Sequence, residues 1–469
     1  MNKLILMMVL STLSLMTHAA IRLPKALDSH MVLQQKSTTK LWGWANPSEK
    51  IKIVTSWNKK EYEIVADGNA NWKVDIQTPA AGGPYTITLN GENSIVLNDI
   101  LIGEVWVCSG QSNMEWSYNL GIKSIKADFE QLRKLNIRLF NTTKRTSSSP
   151  QDDTEGMWTI CDSNTIKAFS AVGYYFGKQL SQELNVPIGL ISSNWGGTPA
   201  ETWTPTALVE HDTTLKNATL KNAETPWWPV TPGYAYNAMI APFSNFTIAG
   251  TIWYQGESNR ESPSTYTQLI HTMVDAWRRA WHNDFPFYYV QIAPYRYERH
   301  HIGALVREAQ ANNLSGKKMG MVVISDLVSD TLNIHPTNKK DVGLRLANMA
   351  LGDTYGKEVG IYKSPMMHSY SVQGNKMTIV LENAGKGLKI KGKEVKELFV
   401  AGADQVFYPA QAKLDQDRIV VSSNMVNKPV AVRYQFSNAG IGNIYSKDGL
   451  PVAPFRTDQW QVNTSPLKP

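Results

Sequence analysis

The segment Gly103-Glu-Val-Trp-Val-Cys-Ser-Gly-Gln-Ser-Asn-Met-Glu-Trp116 changes character halfway along. Val105, Trp106, Val107 and Cys108 form an unbroken apolar run, the pattern of a strand buried on both faces of a parallel sheet. Ser109, Gly110, Gln111, Ser112 and Asn113 follow at once, small and polar. A turn of this composition is either a plain strand-to-helix cap, with Ser112 offering its oxygen to backbone N–H groups, or a turn that presents a hydroxyl to a substrate. The rest of the chain has to decide.

Downstream the same rhythm repeats. Short apolar runs at Ile100 to Cys108, Pro187 to Ile191, Thr247 to Trp253, Pro286 to Ile292 and Met319 to Ile324 alternate with helical patterns at Ala171 to Leu184, Tyr266 to Trp281 and Lys339 to Leu351. This alternation predicts an α/β domain over residues 100–355, with a parallel sheet covered on both faces. Residues 21–99 instead show short alternating strands with turn signals such as Asn46-Pro47, Asp67-Gly68 and Asn90-Gly91, the mark of an antiparallel β-sandwich module. Strand patterns return over residues 356–469, a second all-β module.

Residues 1–20 have the composition of a cleaved export signal: Lys3, an apolar stretch from Leu4 to Met16, and Thr17-His18-Ala19 before a cut near Ala19-Ala20. A periplasmic or secreted protein without a membrane anchor is expected. With 469 residues, 42% hydrophobic and 19% charged, the chain is folded and long enough for several domains. Its net charge of +7 is dispersed apart from a lysine run between Lys386 and Lys396 that alternates with apolar residues, so nucleic acid is not an expected partner. Zinc-ligand spacings and phosphate loops are missing from the sequence, and no metal or cofactor is expected. Cys108 and Cys161 are read as two buried thiols.

The strand ends carry the chemistry. They deliver Ser109-Gly-Gln-Ser-Asn113, then Asn194-Trp-Gly-Gly-Thr198, then Trp253-Tyr-Gln-Gly-Glu-Ser258, and after the last strand Asn333-Ile-His-Pro336. Serine, glycine, glutamine and histidine are thereby brought to one sheet edge. Acyl transfer uses these types: a hydroxyl that needs a base, an imidazole neutral near pH 7, and preplaced uncharged N–H donors for an oxyanion.

These motifs resemble the sialate O-acetylesterases of the SGNH (GDSL-like) hydrolase superfamily. The resemblance spans the central domain and implies a flavodoxin-like α/β fold and a serine esterase removing O-acetyl groups from sialic acid. By position, it implies that Ser112 is the nucleophile and His335 the base. The oxyanion hole would combine the N–H groups of Ser112 and of Gly196 or Gly197 with the Gln255 amide. Gln111, Asn113, Trp195 and Glu257 are candidates for substrate contact, and Glu257 is also suited to bracing its loop. Many members carry the triad acid three residues before the histidine, where this chain has Leu332. Asp330 ranks first as a replacement, ahead of Asp326 and Glu257; a backbone carbonyl orienting a serine–histidine dyad is the remaining option.

Trp227 and Trp228 are suited to sugar stacking, Trp253 more to the core, and Arg260 and Arg307 are candidates for an acidic sugar's carboxylate. His300 and His301 are assigned to a surface loop. Two rival functions stay open: an esterase of acetylated xylan or another polysaccharide, and a carbohydrate-binding protein with a vestigial site.

Overall fold

A computed structural model describes residues 20–467; the expected export signal lies almost wholly outside the described residues. The segment quoted above is the end of one 17-residue strand, β1 (Ser94–Gly110), buried from Ile100 onward. Its side chains alternate between two cores, which is why the run has to be apolar throughout. Val105 and Val107 join Trp253 and Tyr289 on one face; Trp106 and Cys108 join Phe176 and Leu190 on the other.

Six further strands complete the central sheet: β2 (Ile137–Asn141), β3 (Trp158–Ile160), β4 (Ile188–Asn194), β5 (Gly250–Tyr254), β6 (Phe287–Val290) and β7 (Met319–Val322). Their order is β7-β6-β5-β1-β4-β2-β3, parallel except for β3, which runs against β2. The stretch β4-β1-β5-β6-β7 is the flavodoxin-like order, with β2 and β3 added at one edge. The chain crosses from one side of β1 to the other between β4 and β5, so the switch point lies beyond Gly110, which is level with Asn194 and Tyr254.

Helices cover both faces. α1 (Ser112–Glu115) is a single turn directly after β1. α2 (Ala171–Leu184) and α5 (Lys339–Asp353) pack on the Trp106 face through Tyr174, Phe176, Leu346 and Ala350. α3 (Pro263–Trp281) packs on the opposite face through Leu269, Met273 and Trp277. It starts a turn earlier than its apolar pattern suggests because Pro263 fits the first turn, where no intrahelical N–H bond is needed. α4 (Ile302–Asn312) follows His301, which has a left-handed backbone (φ 55°) at the helix start. The two histidines lie in the partly exposed turn just before this helix, in line with the loop assignment.

The flanking modules are antiparallel. Gly82–Asn90 pairs with the first half of β1, so the expected boundary at residue 99 falls inside a continuous strand. The C-terminal sheets include Met366–Gln373 with Lys376–Glu382 and Leu398–Ala401 with Ala431–Tyr434. They dock on α4: Arg456 pairs with Glu308 at 2.6 and 2.8 Å, and the buried Arg307 donates to the carbonyls of Gln435 and Ser437. Arg307 is thus spent on module docking, and its 1% exposure removes it from contact with any sugar. Cys108 and Cys161 are buried free thiols, and burial pushes both up, Cys161 to about 12. No helix among the described residues is long and apolar enough to cross a membrane.

Candidate active site

Ser112 is the first residue of α1 and partly exposed, so its N–H lies outside the helical ladder. Ser170, the cap of α2, fixes this turn: its hydroxyl accepts from Gly173 N–H at 3.0 Å and donates to the Met114 carbonyl at 2.5 Å. From the far end of the sheet, the loop before α5 brings His335 to the same place. The imidazole Nε2 lies 2.9 Å from Ser112 Oγ, across 223 residues of sequence. Its ring stacks on Trp116, with centroids 4.4 Å apart and planes at 20°. Pro336 is buried behind it, and Asn338 caps α5 by accepting from Asp341 N–H.

No carboxylate hydrogen-bonds to His335 among the described residues. Asp330 is exposed and caps its own loop, accepting from Leu332 N–H at 2.8 Å. Asp326 is held by Arg345 through two 2.7 Å contacts. Glu257 is buried against Asn113. Asp330, ranked first as acid from the sequence, thus makes no hydrogen bond to His335 among the described residues. Asp330→Asn is expected to keep kcat/KM for a chromogenic acetyl ester within about threefold of the parent, whereas disabling a working triad acid costs on the order of 10⁴-fold in kcat.

Two expected oxyanion donors are also committed elsewhere. The Gln255 amide nitrogen, fully buried, donates to Asn259 Oδ1 at 2.7 Å and to the Thr198 carbonyl at 3.3 Å, while its oxygen accepts from Tyr266. It braces the loop from below. Gly196 N–H donates to Glu115 Oε2 at 2.7 Å, and Glu115 is held from its other oxygen by Lys144 Nζ at 2.6 Å. The Gly196 backbone lies so close to Ser112 that a Cβ there would come 3.2 Å from the serine Cβ. Gly197 N–H has no partner among the described residues, its carbonyl accepts from Ser258 Oγ at 2.9 Å, and its Cα rests against the Trp228 ring.

Of the expected substrate contacts, Asn113 (0% exposed) and Glu257 (3%) lie beneath the surface and bond to each other, which removes them from direct contact with sugar. Gln111 is buried too, its side-chain oxygen facing the N–H groups of Gly256 and Ser258 at 3.3 Å. Trp195 is partly exposed, sits beside Lys144, and its indole N–H donates to the Trp227 carbonyl at 3.2 Å. Trp227 is 75% exposed, whereas Trp253 is core. Arg260 is paired with Glu298 and Glu261.

Sequence reasoning missed Lys339. It opens α5, is fully buried, and donates to Asn113 Oδ1 at 2.5 Å. One signal pointed to it: a lysine in the first turn stands at the wrong end of the helix dipole, so something other than helix stability put it there.

Compared with known proteins, this chain falls among the carboxylic ester hydrolases. Residues 102–352 match the family described as "Carbohydrate esterase, sialic acid-specific acetylesterase", and the chain belongs to that family. It is 34% identical to a carbohydrate acetylesterase from Xanthomonas citri of known crystal structure, with a TM-score of 0.84 over 94% of this chain and 100% of that one. It is also 26% identical to the sialate O-acetylesterase of Mus musculus (77% of this chain, 79% of the relative) and 27% identical to that of Homo sapiens (76% and 75%). The protein is accordingly a hydrolase of O-acetyl esters on carbohydrate.

Proposed function

We propose that Ser112 and His335 carry out this hydrolysis as a dyad. The observation that carries the proposal is the 2.9 Å contact between Ser112 Oγ and His335 Nε2 at the switch point of the sheet. Ser112 Oγ attacks the acetyl carbonyl while His335 takes its proton; the N–H groups of Ser112 and Gly197 face the developing oxyanion. His335 returns the proton to the departing sugar hydroxyl. Water, activated by the same imidazole, then releases acetate from the acetyl-serine. Burial, with Lys339 adding to it, holds the imidazole down at about 4, against a smaller upward pull from Glu115, so the base is neutral at neutral pH. Trp116 takes over ring orientation by stacking.

For the substrate, the family description and the mammalian relatives support O-acetylated sialic acid. A second reading, an O-acetylated neutral polysaccharide, is favoured by charge: Lys144 and Arg260 beside the site are each already paired with carboxylates, Glu115 for one and Glu298 and Glu261 for the other. An acidic sugar would have to compete for them. The exposed Trp227 and the partly exposed Trp195 and Trp228 offer ring faces to either. Residues 3–19 support export, and the protein purified from a periplasmic fraction is expected to begin after Ala19 or Ala20. Acetate release by that protein from 9-O-acetylated sialic acid and from acetylated xylan, with Ser112→Ala as blank, separates the two. Faster release from the sialic acid supports the first; a preference for xylan supports the second; release from neither refutes both.

A further inference from the structure

Asn113 stands one residue after Ser112, and Ile334 one residue before His335. These neighbours are joined directly: Asn113 Nδ2 donates to the Ile334 carbonyl at 3.1 Å. The same nitrogen donates to Glu257 Oε1 at 2.6 Å, and Asn113 Oδ1 accepts from Lys339 Nζ at 2.5 Å. One buried amide thus ties together the turn after β1, the turn after β5, the histidine loop and the start of α5. A lysine and a glutamate sunk at the base of this site are costly to desolvate, and apolar residues of similar volume are often at least as stabilising. Stability of the fold does not account for them.

We propose that Lys339, acting with Asn113 and Glu257, is a positioning residue that sets the contact between serine and imidazole and puts an ammonium, not a carboxylate, at the base of the histidine loop. This rests on the roles given above to Ser112 and His335. In a triad, a hydrogen-bonded carboxylate orients the base and favours its charged form. Here orientation comes from the Asn113 amide bridge and the Trp116 ring, and the nearby charge has the opposite sign.

The groups that face His335 agree with this. Lys339 approaches from α5 and disfavours the imidazolium; Glu115 approaches from α1 and opposes it more weakly; Trp116 is uncharged. Glu257, from the turn after β5, acts on the Lys339 ammonium, whose charged form it favours. Burial brings the Lys339 ammonium itself down to about 7, against the pull of Glu257. On acidification Lys339 takes up its proton first, and that charge raises the cost of protonating His335. The sign follows: activity needs neutral imidazole, so the acid limb of the pH–rate profile lies well below the ordinary histidine range. The cost is a weaker base.

The test is the pH dependence of kcat/KM on a chromogenic acetyl ester, whose hydrolysis does not depend on sugar recognition. The parent is expected to hold its activity down to about pH 5; an acid limb near 6.5 overturns the proposal even if no variant folds. Lys339→Met should move the limb up by about one pH unit, whereas Lys339→Arg, which keeps the charge, should leave it in place while lowering kcat. Asn113→Ala should cut kcat roughly 100-fold with KM little changed, since the loss is one of alignment. Equal limbs in Lys339→Met and the parent would show the lysine to be structural only. Labelling of Ser112 by a fluorophosphonate in the parent separates this failure from failure of the serine mechanism: a labelled, active parent with an unmoved limb overturns the inference alone.

Discussion

Ser112→Ala is expected to lower kcat/KM toward acetyl esters at least about ten-thousand-fold, and His335→Ala by a similar factor. In the proposed mechanism neither residue can substitute for the other, because one forms the covalent bond and the other moves its proton. The double variant should consequently be no worse than either single one, since groups that act as a unit are far from additive. Thermal unfolding should barely change, as Ser112 is partly exposed and its hydroxyl makes one side-chain contact, to His335 Nε2. Single-turnover assays at high enzyme concentration would set the residual rate. Activity of Ser112→Ala within tenfold of the parent would remove the serine from the chemistry. A double variant whose loss is the sum of the two single losses would show instead that the two side chains act independently.

The second large effect concerns stability. Gly110 ends β1 with φ +134°, and a Cβ there would lie 2.2 Å from the Tyr254 carbonyl oxygen and 2.8 Å from its carbon. Both are backbone atoms of β5, which is clamped on its other side by β6 and accepts Gln111 N–H at 3.0 Å. No rotamer change relieves the clash, so the strands must part at the centre of the sheet. Gly110→Ala is expected to destabilise the protein by about 4 kcal/mol or more, from strained backbone plus disrupted packing. The measurement is the loss of central-sheet signal in urea, followed by tryptophan fluorescence. A midpoint equal to the parent's would mean that β1 and β5 can separate at little cost.

Much of this site was legible because its residues fall at strand ends, where an apolar run must stop and the next residues face the switch point. Ser112 and His335 could be picked out in that way, and Ala171 to Leu184 appears in the structure with the same bounds. Whether any carboxylate would reach the histidine was not legible. Which carboxylate reaches an imidazole depends on loop paths, and the path from Asp326 to His335 turns Asp330 outward. Gln255, Asn113 and Glu257 show a related limit: polar residues beside a nucleophile look like contacts to substrate, but burial converts them into a hydrogen-bonded floor. β2, β3 and α4 escaped notice: β2 carries Arg138 inside its apolar run, β3 has only three residues, and α4 follows directly on a pair of histidines.

The 17-residue length of β1 also has a mechanical meaning. Its early residues are stitched to Gly82–Asn90 and its late ones lie between β4 and β5, so a pull on the N-terminal module is transmitted along covalent backbone to the turn that bears Ser112. The module is less a bead on a string than the handle of a blade. Excising it at residue 99 would leave the blade's root without the neighbours that hold it straight.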